Sequence, residues 1–276
     1  MVTIDRNIGG VLPYRTVFFP SDEILEQVAE RLSGPRIVRL FWTSFELGEA
    51  ARVVRKQRTA TVCVDLARSL DEIFAGVSKN GRYDIRQVEK IAGRVRVARN
   101  EAKSAADFLD LYNGFASSKH EVSRISAKVL KRYENNADIN LVYFDNLPMC
   151  GHVLLRDLAI GRARLLFSAS RRLEDRDTAR ICGVLNRFLH WHEIRAYRDE
   201  GFALYDFGGI REDKGDGIAL FKMSFGGTVL SEQTYLCAGM PRLCHAALRL
   251  YSSSTTRRRS GGEKVLDDQG TAFLVR

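Results

Sequence analysis

From residue 94 onward, segments of helical and of strand periodicity follow one another in an order that leaves few folds open. Arg94–Arg99 alternates as a strand. Ser104 with Asp107 opens a helix carrying Phe108, Leu111, Tyr112 and Phe115 on one face, and Ser123 opens another with Ile125, Val129, Leu130 and Tyr133. Strands are expected at Ile139–Phe144, Met149–Asp157 and Arg162–Ser168. A helix then starts near Asp177-Thr178, runs through Ile181, Val184, Leu185, Phe188 and Leu189, and stops at Gly201. Ala203–Phe207 reads as a short strand, Gly215–Phe225 as a short helix and Gly227–Cys237 as a strand, with a last helix from Pro241 to Tyr251. The order β-α-α-β-β-β-α-β-α-β predicts a mixed α/β domain built on one central sheet.

The preceding stretch is less regular. Ser21 caps a helix with Ile24, Leu25, Val28 and Leu32 on one face, which Gly34-Pro35 stops. Arg36–Trp42 reads as a strand, Ser44–Arg58 as a helix and Thr61–Leu66 as a buried strand. Ser69 and Glu72 have the spacing of a capping box, and the helical stripe behind them is interrupted at Gly81 and ended by Gly93. Residues 1–66 are expected to form a reduced half that packs on a larger domain, residues 67–250. Residues 251–276, rich in Ser, Thr, Arg and Gly, read as a disordered basic tail.

With 45% apolar and 28% charged residues, the chain has ample material for a core. No apolar run reaches the length of a membrane span, so stable membrane insertion is not expected. No basic head with an apolar run opens the sequence, so a secretory signal is not expected either. Five scattered cysteines without a Cys-x-x-Cys pair argue against a disulfide framework or zinc site and fit a reducing cytoplasm. The net charge is +9, and Lys79–Arg99 alone carries seven basic and two acidic residues. Such a surface attracts phosphates, nucleic acid or anionic lipid heads without choosing among them.

The segment with most chemistry is Tyr205-Asp206-Phe207-Gly208-Gly209-Ile210, followed by Phe221-Lys222-Met223-Ser224-Phe225-Gly226-Gly227. A helix stop at Gly201 feeds a strand that ends on Asp206, and open α/β sheets bind ligands at the C-terminal ends of their strands. Gly208 and Gly209 allow a tight turn or a close backbone approach. Lys222 lies in an apolar run, so its ammonium must meet a carboxylate, a carbonyl or solvent. A plain structural turn with a Lys222–Asp206 pair explains the same spacing.

Those two stretches, together with Val64-Asp65-Leu66-Ala67-Arg68-Ser69 leading into Gly81-Arg82-Tyr83-Asp84-Ile85-Arg86, resemble the FemAB-type acyltransferases, the peptidoglycan-bridge-forming branch of the GNAT superfamily. The likeness extends over residues 11–240. It implies a GNAT-like fold with a reduced first unit, and transfer of an acyl or aminoacyl group onto an amine. It also places Lys222 in the active site, where a cation near the developing oxyanion lowers the barrier. Asp206 would orient the amine or accept its proton, unless it holds the glycine turn instead. Tyr205, Gly208 and Gly209 would border the substrate. Arg82 and Arg86, at i,i+4 on one helix face beside Lys79 and Lys90, suit a phosphate, although a solvated basic face looks the same. Tyr83 joins that surface as a packing residue with a polar tip.

No cofactor is expected to bind tightly, and the donor is left open between acyl-coenzyme A and aminoacyl-tRNA. The stretch Ser168–Asp177, where acyl-coenzyme-A enzymes carry a glycine-rich pyrophosphate loop, has no glycine. The acceptor would be a small-molecule or envelope-precursor amine, an amino sugar or an amino acid, with transfer RNA as a further partner. The setting would be the cytoplasm, extending to the inner membrane face. His190 and His192 do not share a helix face, and His120 and His152 are isolated, so no metal is expected. The competing reading is a non-catalytic basic binding module that keeps the acyltransferase fold. Its nucleic-acid version would need aromatics interleaved with the basic surface, whereas Phe and Tyr fall mostly on apolar faces.

Overall fold

The computed structural model describes residues 1–8, 11–21, 32, 34–47, 52–118, 122–210 and 217–239. Residues 22–31 of the expected first helix, the expected helix Pro241–Tyr251, His120 and the tail lie outside these residues. The strands are β1 Val2–Ile8, β2 Leu12–Phe18, β3 Ile37–Thr43, β4 Val53–Asp65, β5 Val95–Arg99, β6 Ala137–Phe144, β7 Leu147–Asp157, β8 Arg162–Ser170, β9 Leu204–Ile210 and β10 Thr228–Ala238. The helices are α1 Leu70–Gly76, α2 Lys79–Lys90, α3 Ser104–Ser117, α4 Ala127–Lys131, α5 Arg176–Asp199 and α6 Gly217–Met223.

The described residues fall into two compact units, Met1–Thr61 with 230–239, and Val62–Val229. The first unit is thus discontinuous. β10 belongs to it, pairing Tyr235 with Leu40 and Cys237 with Val38, whereas the sequence division at residues 66 and 250 leaves that strand in the larger domain. Its strands run in the order β1-β2-β3-β10-β4. β1 and β2 form an antiparallel hairpin, and β2 lies parallel to β3. Val17, Val38, Leu40, Tyr235 and Cys237 fill a core on one face.

From residue 94 the second unit carries the expected order as far as α6. Its strands run β4-β9-β8-β7-β6-β5, β4 entering with Val62–Asp65. β9 is parallel to β8, and β8, β7, β6 and β5 are antiparallel neighbours. Long α5 packs on this sheet: Leu185 and Leu189 meet Val142, Met149 and Cys150, while Trp191, Ile194 and Tyr197 meet Val62, Val64, Tyr205 and Phe207. Asp175 caps α5, accepting the Thr178 amide at 2.9 Å, and Gly201 ends it at φ +83°.

Two elements differ from the sequence pattern. The helix expected over Ser44–Arg58 gives way from Val53 to strand β4, where Val53, Val54, Thr59, Thr61, Val62 and Val64 supply β-branched side chains. The helical stripe after Ser69 breaks at Val77 (ψ 136°) and Ser78, not at Gly81. Ser69 and Glu72 do close the capping box that starts α1. Ser78 caps α2 by accepting the Gly81 amide at 3.2 Å.

Candidate active site

The ladder between β8 and β9 covers Arg162↔Leu204, Ala163↔Tyr205 and Arg164↔Asp206. Past Asp206, still within β9, Gly208 adopts φ +74°. A Cβ there would stand 2.8 Å from the Leu165 carbonyl oxygen, so both the backbone conformation and the space demand glycine. The Gly208 amide donates to Asp206 Oδ1 at 2.8 Å. On the other side of the corner, α6 presents Lys222, whose ammonium donates to the carbonyls of Gly208 (3.2 Å) and Gly209 (2.6 Å). Lys222 is half-buried. The Phe225-Gly226-Gly227 segment fixes the approach of α6: the Gly226 Cα rests against the end of α1, where a Cβ would lie 2.6 Å from the Gly76 oxygen. Ser78 donates its amide to the Ser224 carbonyl at 2.7 Å.

Asp206 is fully buried at the closed end of this corner. Its Oδ2 accepts from Arg162 Nε (2.9 Å) and Arg164 NH1 (2.8 Å). Two guanidinium groups and a main-chain amide thus meet this one carboxylate. In the structure Asp206 ties the Gly208 amide to Arg162 and Arg164, the structural alternative to an amine-orienting role. Tyr205 is likewise inside the protein, with 0% exposure.

The basic face of α2 is divided. Arg82 turns back onto the end of α1, donating to the carbonyls of Ala75 (2.9 Å) and Val77, the bonding expected of a basic side chain at a helix C-terminus. Arg86 is exposed, its guanidinium 5.3 Å from the Phe74 ring centroid, and Tyr83 is 62% exposed. Asp84, between them, pairs with Arg187 of α5 at 2.7 Å, and that guanidinium lies 5.3 Å from the ring of Phe221, next to Lys222.

Behind the corner lies a buried polar chain that the sequence reading misses. Tyr205 donates its hydroxyl to Glu193 Oε2 at 2.5 Å, and His190 Nδ1 lies 2.7 Å from the same hydroxyl oxygen. Because the phenol proton goes to the carboxylate, the oxygen accepts from His190 Nδ1–H. Asn140 Nδ2 donates to Glu193 Oε1 at 2.9 Å. His152 Nδ1 lies 3.0 and 2.9 Å from the two Glu193 oxygens, and its Nε2 lies 3.0 Å from Asn186 Oδ1. The two imidazoles stack at 4.2 Å. Burial, with the charges of His152 and Lys222 behind it, holds His190 well below the usual histidine range. Burial and Glu193 push the Tyr205 phenol well up. Donor atoms of His152, His190 and Glu193 lie within 4.8 Å of one another, the spacing of a metal trio, but they hydrogen-bond among themselves and to Tyr205, Asn140 and Asn186. The signal available in the sequence was His190 and Glu193, three apart on the apolar face of α5, where a buried acid must have partners.

FemX superposes on this chain with a TM-score of 0.63 and 12% identity, over 88% of this chain and 85% of its own. The chain has the fold of FemX. The same fold is present in the C-terminal domain of a protein described as a lysylphosphatidylglycerol synthetase from Agrobacterium fabrum (TM-score 0.55, 14% identity, 88% of this chain and 82% of that one). It is present again in L-PGS from Bacillus licheniformis (TM-score 0.54, 10% identity, 90% and 84%). No family model matches the sequence, and no curated protein matches it. A FemX-like fold is the one that the resemblance at Tyr205–Ile210 and Phe221–Gly227 implies. No helix among the described residues is long and apolar enough to cross a membrane.

Proposed function

We propose that this chain transfers an aminoacyl or acyl group onto an amine, with Lys222 stabilising the oxyanion that forms when the amine attacks the donor carbonyl. The observation that carries this reading is the placement of a half-buried ammonium on the Gly208-Gly209 corner, where the β8–β9 ladder has ended, in a FemX-type fold. A cation preorganised in a partly dry site stabilises developing negative charge without reorganising. Its main-chain anchors keep the ammonium in place.

The start of α5 favours an aminoacyl ester over acyl-coenzyme A as donor. In coenzyme-A enzymes of this fold that helix terminus receives a pyrophosphate. Here the Asp175 carboxylate occupies it, bonded to the Thr178 amide and hydroxyl, and its negative charge opposes a second anion. Arg171 is held by the Pro148 carbonyl and Glu174. Aminoacyl-tRNA is then the donor that fits. The acceptor class is an amine of an envelope precursor, an amino sugar or an amino acid, reached on the cytoplasmic side, with Arg86 and Tyr83 as exposed groups beside it.

The test incubates the full chain and Lys222→Ala with aminoacyl-tRNA and acyl-coenzyme-A donors and a panel of amines. Donor consumption by the parent chain, reduced about 100-fold or more by Lys222→Ala, is expected. A folded parent chain that consumes no donor returns the protein to the reading of a basic binding module.

A further inference from the structure

Helix α6 is almost wholly apolar, yet none of its side chains is buried. Lys222, its one charged residue, turns its ammonium to the carbonyls of Gly208 and Gly209. Leu220 (65% exposed) and Met223 (40%), three apart on one face, are left to the outside. Val229, in the same unit, is 50% exposed. Exposed apolar residues scattered singly mean little, but several on and beside one helix mark an interaction site.

The charge beside this helix indicates what covers it. Lys79, Tyr83, Arg86 and Lys90 of α2 stand at i, i+4, i+7 and i+11, a stripe along one side of the helix. All four are exposed, opposite the buried Gly81, Ile85 and Val88. The acids of α2 do not neutralise the stripe: Asp84 is taken by Arg187, and Glu89 lies off it. The two helices adjoin. The Ser78 amide, at the start of α2, donates at 2.7 Å to the Ser224 carbonyl, just past α6. Arg187 meets both Asp84 of α2 and Phe221 of α6.

We propose that α6 and the basic stripe of α2 dock the chain on an anionic phospholipid surface. Leu220, Met223 and Val229 enter the boundary between headgroups and acyl chains, while Lys79, Arg86 and Lys90 meet lipid phosphates. Apolar side chains beside lysine, arginine and an aromatic ring are the composition of an interfacial membrane site. RNA would satisfy the stripe but would leave the apolar side chains of α6 in water. A second copy docked through the same surface would cover those side chains but bring two positive stripes together. The docking needs no acyl-transfer step, and vesicle binding is measured without a donor.

The test floats the full chain with vesicles of phosphatidylcholine alone and of phosphatidylcholine with about 30% phosphatidylglycerol. Binding to the anionic vesicles is expected, weakened by salt and at least about 10-fold stronger than to the neutral ones. Leu220→Ser with Met223→Ser, which leaves the charge unchanged, is expected to weaken it about 10-fold or more. Lys79→Gln with Arg86→Gln and Lys90→Gln is expected to weaken it about 100-fold. All five positions are exposed, so circular dichroism spectra and urea midpoints are expected to match the parent. In the parent chain, anionic vesicles are expected to slow hydrogen exchange in peptides covering 79–90 and 217–223, read by mass spectrometry. A parent chain that binds no vesicle overturns the proposal. So does binding that the serine pair retains in full, or protection confined to the basic segment 251–276. Capture of a short RNA duplex in place of vesicles, unaffected by the serine pair, assigns the stripe to RNA and overturns it as well.

Discussion

The Tyr205 hydroxyl bridges Glu193 and His190, donating to the carboxylate at 2.5 Å and receiving the imidazole N–H at 2.7 Å. The sheet and α5 are joined at this point by polar rather than apolar contact, in an interior otherwise filled by Phe207, Tyr197, Ile194 and Leu154. Removing the Tyr205 hydroxyl takes a partner from His190 Nδ1 and a donor from Glu193, which keeps Asn140 and His152. Tyr205→Phe is expected to lower the free energy of unfolding by about 1–3 kcal/mol, measured by urea denaturation. A neutral result would mean that water replaces the hydroxyl.

Stability should fall with acid through His190. Its folded-state pKa is depressed well below the unfolded value of about 6.5. As pH drops below that value, the unfolded chain binds a proton that the folded chain refuses. The stabilisation is therefore complete above about pH 6.5 and declines by about 1.4 kcal/mol per pH unit below it. His192 is depressed too and adds to the slope. Unfolding free energies of the parent and His190→Gln between pH 7 and 5 should differ in slope by about one proton.

Asp206→Asn separates a structural aspartate from a catalytic one. It leaves Arg162 and Arg164, both nearly sealed, facing a neutral amide. Breaking a buried charge pair costs about 3–5 kcal/mol, so the thermal midpoint should drop by many degrees. Should activity vanish while stability is untouched, the catalytic assignment of Asp206 would stand.

Gly208→Ala should be harmful in spite of its small size. The new methyl meets the Leu165 carbonyl oxygen at 2.8 Å in a left-handed backbone conformation. A cost above about 1 kcal/mol follows. Gly183, by contrast, has open space around it and lies inside α5, so Gly183→Ala is expected to stabilise by about 0.5–1 kcal/mol. Paired denaturation curves check both.

Much of the second unit was legible in the sequence because its signals are local. The Ser69–Glu72 capping box, the Gly201 stop and the alternation of β6 to β8 each depend on residues a few positions apart. β1 and β2 escaped because short strands at the chain start have no helix to frame them. Ser44–Arg58 misled because its polar, Arg-rich composition is compatible with a helix, and only the pairing of β4 settles the matter. The polar chain was illegible for another reason. Asn140, His152, Glu193 and Tyr205 come from β6, β7, α5 and β9, as many as 53 positions apart for a single hydrogen bond. No spacing rule reaches that far. The partners of Asp206, Arg162 and Arg164, sit on a neighbouring strand and leave no mark on its own segment.

The attachment of Lys222 to main-chain oxygens has an outcome for anyone wishing to detach it. Side-chain exchange at 208 or 209 leaves both acceptor atoms in the polymer, altering the shape of the bend while the ammonium's mooring survives. To cut that tie selectively, chemistry must reach the peptide unit itself, for instance by replacing an amide with an ester, whose weaker carbonyl would loosen the lysine while every side chain stays as it was.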